Sequence, residues 1–338
     1  MSIIGIILTS FVISFLLTGY MRHYALKKNI IDNPNERSSH TIPTPRGGGV
    51  SIVITFLFVL VGLMLSRELD WSTGLILTAA GFGIAVLGFL DDHGHINSML
   101  RLAIHFVIAI GVVFFLGGFS EVTLFSGNVQ LGWLANIIAV LFLVWLLNLY
   151  NFMDGINGIA SIEAITTTLS LAAVYLLLNI HLSSELLLIL ASSVLGFVLW
   201  NFPKARIFMG DAGSGFLGLI LGILALIALK TDIAFFCAWI ICLGVFIVDA
   251  TFTLIRRVSN GHKMYDAHRS HAYQYASRKY NSHTKVTIAV LFINIFWLFP
   301  MAYLAAQKVL MPEVILLMAY IPLILLAVFL GAGKTENA

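Results

Sequence analysis

The chain is divided almost end to end into apolar runs of roughly 18 to 23 residues, separated by charged or glycine-rich breaks. That is the length a helix needs to cross about 30 Å of hydrocarbon at about 1.5 Å per residue. Eleven such spans can be marked: 2–20, 48–65, 73–90, 102–117, 133–150, 156–178, 183–201, 213–229, 233–255, 286–306 and 314–330. With 59% hydrophobic and 10% charged residues, a soluble globular domain is excluded. The expected fold class is all-α, a polytopic membrane protein of about eleven transmembrane helices, forming one integral-membrane domain over residues 1–338.

The first span lacks a basic segment before it and a small-residue cleavage pattern after it, so it reads as a retained helix and not a signal peptide. Loops on alternate sides differ in charge: one set holds sixteen of the 19 Lys and Arg residues, the other only Arg67, Lys230 and Lys308. The positive-inside rule makes the first set cytoplasmic, with the N-terminus outside and the C-terminus inside. The formal charge of +3 is then a topology signal and an attraction to anionic headgroups and substrates; no nucleic acid is implied. On the outer side, residues 118–132 read as a small external β-hairpin turning at Ser126-Gly127-Asn128. Cys237 and Cys242, five apart in one apolar span, lack the spacing and polarity of a zinc site and read as packing residues.

Four polar strings interrupt the apolar chain, and the span count puts all of them on the cytoplasmic side: Asp91-Asp92-His93-Gly94, Asn151-Phe152-Met153-Asp154-Gly155, Met209-Gly210-Asp211-Ala212-Gly213-Ser214-Gly215 and His268-Arg269-Ser270-His271. A carboxylate beside hydrocarbon is costly unless it has a partner or a task. The adjacent Asp91 and Asp92 repel each other, which favours a divalent cation or a retained proton. Asp154 sits among Asn148, Asn151, Asn157, Gly155 and Gly158, an irregular helix end of the kind tolerated at depth where it lines a polar cavity. Asp211 opens a span in a glycine-rich string whose bare backbone N–H groups and helix dipole suit a phosphate and its metal ion. His268 and His271 can bind phosphate, ligate metal or move a proton. The loop from Arg37 to Gly49 sets Arg37 and Arg46 on a stiff proline stretch, an anion clamp in outline. Glu163 and Asp249 lie within spans and are expected either to wall a polar cavity or to form buried structural pairs.

Carboxylates for a cation, a glycine-rich helix start and Arg/His groups for phosphates, all beside lipid, meet the needs of phosphoryl transfer from a soluble nucleotide to a membrane-embedded acceptor. Five strings in this order, Pro43-Thr44-Pro45-Arg46-Gly47-Gly48, Asp91-Asp92, Asn151-Phe152-Met153-Asp154-Gly155-Ile156-Asn157-Gly158, Phe208-Met209-Gly210-Asp211-Ala212-Gly213-Ser214 and His268-Arg269-Ser270-His271, resemble the polyprenyl-phosphate N-acetylhexosamine-1-phosphate transferases. The resemblance runs from about Asp32 to His271.

That resemblance implies transfer of a sugar 1-phosphate from a UDP-sugar to undecaprenyl phosphate, with release of UMP, at the cytoplasmic face of the bacterial inner membrane. It implies Mg²⁺, with Mn²⁺ as a substitute, membrane lipid as surroundings and a homodimer as a candidate assembly. By position, Asp91 or Asp92 resembles the carboxylate that deprotonates the lipid phosphate, and Asp211, with Asp154, the metal site. Asn151, Asp154 and Asn157 match the nucleotide-sugar pocket, Asn201 and Phe208 the uridine contacts, and His268 and His271 the diphosphate contacts. Arg46 would hold an anionic substrate. His93, His95 and Arg101 stand where the peptidoglycan branch carries a lysine-rich stretch, so the pattern resembles the O-antigen or capsule-initiating branch. Single displacement is the expected route, with an aspartyl-phosphate intermediate left open, and the sugar is not legible. The rival classes are a transporter of an anionic solute or lipid-linked sugar, for which no repeat or midplane charge is found, and a lipid-pyrophosphate hydrolase.

Overall fold

One helix, α8 (Asp211–Thr231), is the most deeply enclosed of the long apolar helices, and the rest of the bundle is arranged around it. The structure is a computed structural model and describes residues 2–34, 39–94, 96–125, 127–180, 184–262 and 268–334. Arg37, His95 and Ser126 lie outside the described residues.

The other elements are α1 (Ile3–Lys27), the paired strands β1 (Ile31–Asp32) and β2 (Thr44–Pro45), α2 (Val50–Leu65), α3 (Trp71–His93), α4 (Ser98–Phe115), the hairpin β3 (Glu121–Leu124) and β4 (Gly127–Gln130), α5 (Trp133–Met153), α6 (Ile159–Leu177) and α7 (Ser184–Asn201). After α8 come α9 (Ile233–Cys242), α10 (Gly244–Ser259), α11 (Ala272–Lys279), α12 (His283–Ile293), a π-helical turn (Asn294–Leu298), α13 (Phe299–Ala306) and α14 (Pro312–Leu330). The protein is thus mostly helical and multi-pass in character. Among the described residues nine helical stretches are long and apolar enough to cross a membrane, or ten if the bent pair α9 and α10 is one span. The sixteen-residue α2 is apolar but shorter.

Small residues let α8 sit so deep. It packs between α3 and α5, and Gly218 lies so close to α5 that a Cβ there would stand 2.8 Å from the Leu146 carbonyl oxygen. With Gly222 one turn on, this is the small-xxx-small pattern by which membrane helices bring backbones together. Helix starts are capped by local acceptors: Asp70 takes the Thr73 N–H at 2.7 Å and Asp232 the Ala234 N–H at 2.9 Å.

Two features differ from the expected pattern, and a third decides between the two readings of Glu163. The run 233–255 is broken at Leu243 by a 75° bend, so α10 leaves the line of α9 and brings Asp249 towards α11. The first helix extends to Lys27, well past residue 20, and a short antiparallel pair, β1 on β2, accompanies the helices, while the antiparallel β3–β4 pair falls within the stretch 118–132 expected to form a hairpin. Glu163 lines none of the principal cavities. It is fully buried, and its Oε2 accepts from Asn294 Nδ2 at 2.7 Å, at the head of the π-helical turn, so it is a structural pair between α6 and the α12–α13 span. Cys237 and Cys242 are buried free thiols inside α9.

Candidate active site at the acidic end of the bundle

A cavity of about 290 Å³ collects residues from six separated parts of the chain. Arg46, Asp92, Asn151, Asp154, Asn157, Asn201, Phe208 and Asp211 all line it, joined by Asp32, Ser39, His40, Ser214, Gln274 and His283. Eight of the residues singled out in the sequence therefore meet in one space. Asp91 stands just behind it, and His268 and His271 stand outside its lining.

Asp92, at the end of α3, has a side chain only 1% exposed. Its Oδ1 accepts the Asp211 N–H at 3.2 Å and its Oδ2 the Ala212 N–H at 3.4 Å, while Arg46 Nε lies 3.8 Å from Oδ1 and Arg46 Nη2 donates to the Asp92 carbonyl at 2.7 Å. The glycine-rich start of α8 is thus occupied in this structure by a carboxyl group of the chain itself. Gly210 makes room for it: φ is +77°, and a Cβ would lie 2.5 Å from Asp92 Oδ2.

Asp211, the first residue of α8, is held from two sides. Asn151 Nδ2 donates to its Oδ1 at 2.9 Å and also to Ser214 Oγ at 3.0 Å. Arg101 Nη1 donates to its Oδ2 at 2.8 Å and to Asp91 Oδ2, and Asp91 Oδ1 in turn accepts the Ile96 N–H at 2.8 Å. Arg101, which the sequence offered only as a topology charge and a branch marker, is therefore part of the carboxylate cluster.

Asp154 follows α5 as its C-cap and is half-buried in the cavity wall. Burial first, then the Asp211 and Asp92 carboxylates, hold its carboxyl well above the usual carboxylate range. Three carboxylates that oppose one another's ionisation, all offering oxygen, are chemically suited to a hard divalent cation. Among the described residues no three acidic, histidine or cysteine side chains form a ready protein cage. A cation of the Mg²⁺ kind does not require one, since it keeps waters and uses one or two carboxylates with substrate phosphates. The residues present fit such an ion.

On the far wall, Phe208 meets His40 edge-on with ring centroids 4.8 Å apart. Backbone pairing holds this wall together: Phe208 N–H donates to the Pro45 carbonyl at 2.8 Å, and Gly48 and Gly49 N–H donate to the Phe208 and Met209 carbonyls at 2.9 and 2.8 Å. Asn201 reaches the cavity but is buried, and both of its amide atoms bridge loops, accepting from Gly158 N–H at 2.7 Å and donating to the Ile207 carbonyl at 2.9 Å. Asn157 donates to the Pro203 carbonyl at 3.2 Å. A second polar cavity, about 380 Å³, shares Ser39, His40, Asn157, Phe208 and His283 with the first, so the space continues past the aromatic pair. His40 lies in the proline-rich loop singled out in the sequence, yet nothing marked that residue above its neighbours.

The histidine string stands behind Gln274. Asp249 Oδ1 and Oδ2 accept the Ala272 and Tyr273 N–H groups at 2.8 and 3.0 Å, His271 Nδ1 lies 3.5 Å from Asp249 Oδ1, and the His271 and His268 ring centroids are 4.9 Å apart. The Ser270 N–H donates to His268 Nδ1 at 3.4 Å, leaving Nε2 to carry the proton. Burial first, then His271 and Arg257, push the His268 imidazole down to about 3, so it is neutral at physiological pH. Tyr273 Oη donates to the Phe152 carbonyl at 3.0 Å, tying this segment to the loop that carries Asp154.

Comparison with known proteins gives the family. Residues 74–229 match the sequence profile of glycosyl transferase family 4. The chain is 33% identical over 273 residues to a probable undecaprenyl-phosphate N-acetylglucosaminyl 1-phosphate transferase of Bacillus subtilis, covering 78% of this chain and 75% of the relative. It is 28% identical over 291 residues to an undecaprenyl-phosphate alpha-N-acetylglucosaminyl 1-phosphate transferase of Thermotoga maritima, covering 84% and 86%. It is also 28% identical over 274 residues to a phospho-N-acetylmuramoyl-pentapeptide-transferase of Wolbachia pipientis, covering 74% and 80%. The strings that meet at the acidic end of the bundle are carried by a chain that belongs to the polyprenyl-phosphate N-acetylhexosamine-1-phosphate transferases of glycosyl transferase family 4.

Proposed function

We propose that this enzyme transfers an N-acetylhexosamine 1-phosphate from a UDP-sugar to undecaprenyl phosphate, giving the undecaprenyl-diphospho-sugar and UMP. The observation that carries the reading is the meeting of Asp92, Asp154 and Asp211 with Arg46 and Phe208 in one cavity at one end of an apolar bundle. N-Acetylglucosamine is the sugar we favour, because the names of the Bacillus and Thermotoga relatives carry it. The product would start a cell-surface polysaccharide of the O-antigen or capsule type. The charge asymmetry of the loops supports eleven spans, an outer N-terminus and hairpin, and a cavity open to the cytoplasm of a bacterial inner membrane.

In this reading an oxygen of the lipid phosphate attacks the β-phosphorus of the UDP-sugar. A new phosphoanhydride bond forms there as the one to the α-phosphate breaks, and UMP leaves with that bond's electron pair. Asp92, the member of the adjacent pair that lines the cavity, takes any proton left on the acceptor phosphate, with Arg46 beside it to hold anionic oxygens. Phe208 and His40 give an aromatic wall for the uracil ring. Asp211 and Asp154 would hold Mg²⁺, which when bound supplies charge neutralisation on the diphosphate. Arg101 keeps Asp91 and Asp211 in place and adds positive charge near them.

Incubating the purified protein with undecaprenyl phosphate, UDP-N-acetylglucosamine and Mg²⁺ tests the reading directly. UMP should appear only when all three are present. UMP-free transport of the nucleotide sugar, or phosphate release from a lipid pyrophosphate without any sugar nucleotide, would replace it with one of the rival classes.

A further inference from the structure

A separate cavity of about 510 Å³ opens between α10, α11, α12 and α14, within the roughly 300–1,000 Å³ range of ordinary ligand sites. Its wall is apolar, with Val248, Val286, Val290, Leu323 and Leu326 among the side chains that form it. Along α12 it extends from Lys285 to Ile293, about 12 Å at about 1.5 Å per residue.

Cations gather at one end of this apolar trough. Lys285 lines it from the first turn of α12. Lys279, the last residue of α11, places its ammonium 4.9 Å from the Phe329 ring centroid and 5.8 Å from that of Tyr280, and both rings line the cavity. Asp249 also reaches the space, but its oxygens accept the Ala272 and Tyr273 amides. Two ammonium groups above a hydrocarbon-lined slot complement an amphiphile with an anionic head. A soluble anion would leave the slot without hydrocarbon, and a zwitterionic lipid would answer the two cations with no net charge.

We infer that this cavity holds an acyl chain of an anionic glycerophospholipid whose phosphate sits against Lys279 and Lys285. The lipid braces the histidine string, because its walls are that string's supports. Asp249 and Tyr273 both line the cavity, Asp249 holds the Ala272 and Tyr273 amides, and Tyr273 Oη reaches Phe152 beside the acidic site. Binding stands independently of the proposed reaction; its effect on turnover rests on that reaction.

Native mass spectrometry of the full-length protein, delipidated and then titrated with phosphatidylglycerol or phosphatidylcholine, tests the site. The wild type should keep one phosphatidylglycerol in preference to phosphatidylcholine by roughly tenfold or more. The Lys279→Glu/Lys285→Glu double variant should lose that preference through charge, and Ala289→Trp should lose the lipid by filling the trough. Both variants should keep the wild-type melting temperature to within a few degrees. In nanodiscs, UMP release should rise with the phosphatidylglycerol fraction for the wild type and stay flat for both variants. Equal retention of the two lipids, retention unchanged in folded variants, or one-for-one displacement by undecaprenyl phosphate would each overturn the inference. If the transferase reading alone fails, UMP vanishes from every sample and the mass-spectrometric preference remains.

Discussion

Arg101 joins Asp91 to Asp211 through a single nitrogen: its Nη1 donates to Asp211 Oδ2 at 2.8 Å and also to Asp91 Oδ2. The end of α3 and the start of α8 are thereby held in one charge cluster. Removing the guanidinium leaves two carboxylates facing each other beside Asp92. Arg101→Ala should therefore lower kcat by roughly 10²- to 10³-fold, the scale of losing one fixed charge-stabilising donor, and Arg101→Lys, which keeps the charge on a shorter side chain without the planar guanidinium, should recover only part of that. UMP-release kinetics on folded variants check it. Wild-type turnover in Arg101→Ala would exclude a role in the reaction.

The carboxylate cluster predicts a cation that stabilises the fold as well as the reaction. Asp154 is held above its ordinary range by burial, Asp211 and Asp92. A raised folded-state carboxyl subtracts stability as pH rises above the unfolded value near 3.9, because the folded chain resists losing the proton that the unfolded chain gives up. Mg²⁺ should offset this, raising the melting temperature more at pH 8 than at pH 5. The gain should shrink in Asp154→Asn and in Asp211→Asn, and EDTA should abolish turnover. A melting temperature indifferent to Mg²⁺ at pH 8 would remove Asp154 and Asp211 from the metal site.

Asp249 is expected to act through the histidine string. Asp249→Ala leaves the Ala272 and Tyr273 N–H groups without their acceptor, a cost of about 1–3 kcal/mol for each group left buried and unpaired. Asp249→Asn keeps one acceptor oxygen and should fall between Ala and wild type in melting temperature. Both should reduce kcat while leaving the KM for the nucleotide sugar near the wild-type value, since Asp249 does not line the acidic cavity. An equal loss in KM would place Asp249 in substrate binding.

His268 should make the fold sensitive to mild acid. Its imidazole is pushed down to about 3, burial being the largest cause, against about 6.5 in an unfolded chain. Between those values the unfolded chain takes up a proton that the folded chain refuses. The stabilisation is complete above about pH 6.5 and is lost progressively as pH falls towards 3. A thermal-melt series from pH 7.5 to 5 should fall more steeply for the wild type than for His268→Gln. Parallel curves would show that His268 is as readily protonated in the folded protein as in the unfolded one.

Gly88 tests the fit between α3 and α8. A Cβ there would stand 2.4 Å from Ala212 N and 2.5 Å from Asp211 C, backbone atoms that cannot rotate away. Gly88→Ala should push α8 from the Asp92 carboxylate, weakening the caps at Asp211 and Ala212 and lowering turnover about tenfold or more. The equivalent change at Gly94, whose Cβ direction is open, should be nearly silent in the same assay.

Much of this arrangement was legible because a bilayer makes polar residues conspicuous. Asp92, Asp154 and Asp211 stand out against hydrocarbon, and the helices that carry them have the length the apolar runs announce. What did not show was long-range pairing. Asp92 caps α8 from 119 residues away, and the sequence near Asp211 offered only an unoccupied anion cradle. Arg101 looked like any basic loop residue until α3 and α8 set Asp91 and Asp211 on either side of it. The bend at Leu243 lies in an unbroken apolar run without proline, and Gly244, packed near Leu323 and Tyr320, has its meaning only once α14 is in place. Glu163 announced that it needed a partner, but Asn294 lies 131 residues on, in a turn whose π-helical form has no local signature.

The backbone ladder between Pro45–Gly49 and Phe208–Met209 has a consequence for how specificity can change. Arg46 and Phe208 are mounted on adjoining rungs of it, so a shift of either residue carries the other along. A ligand that pries the aromatic platform outward also withdraws the guanidinium from Asp92. Under the proposed function, discrimination among bases and grip on phosphate would be geared together, and relatives with a different nucleotide preference should be altered on both strands of that ladder at once.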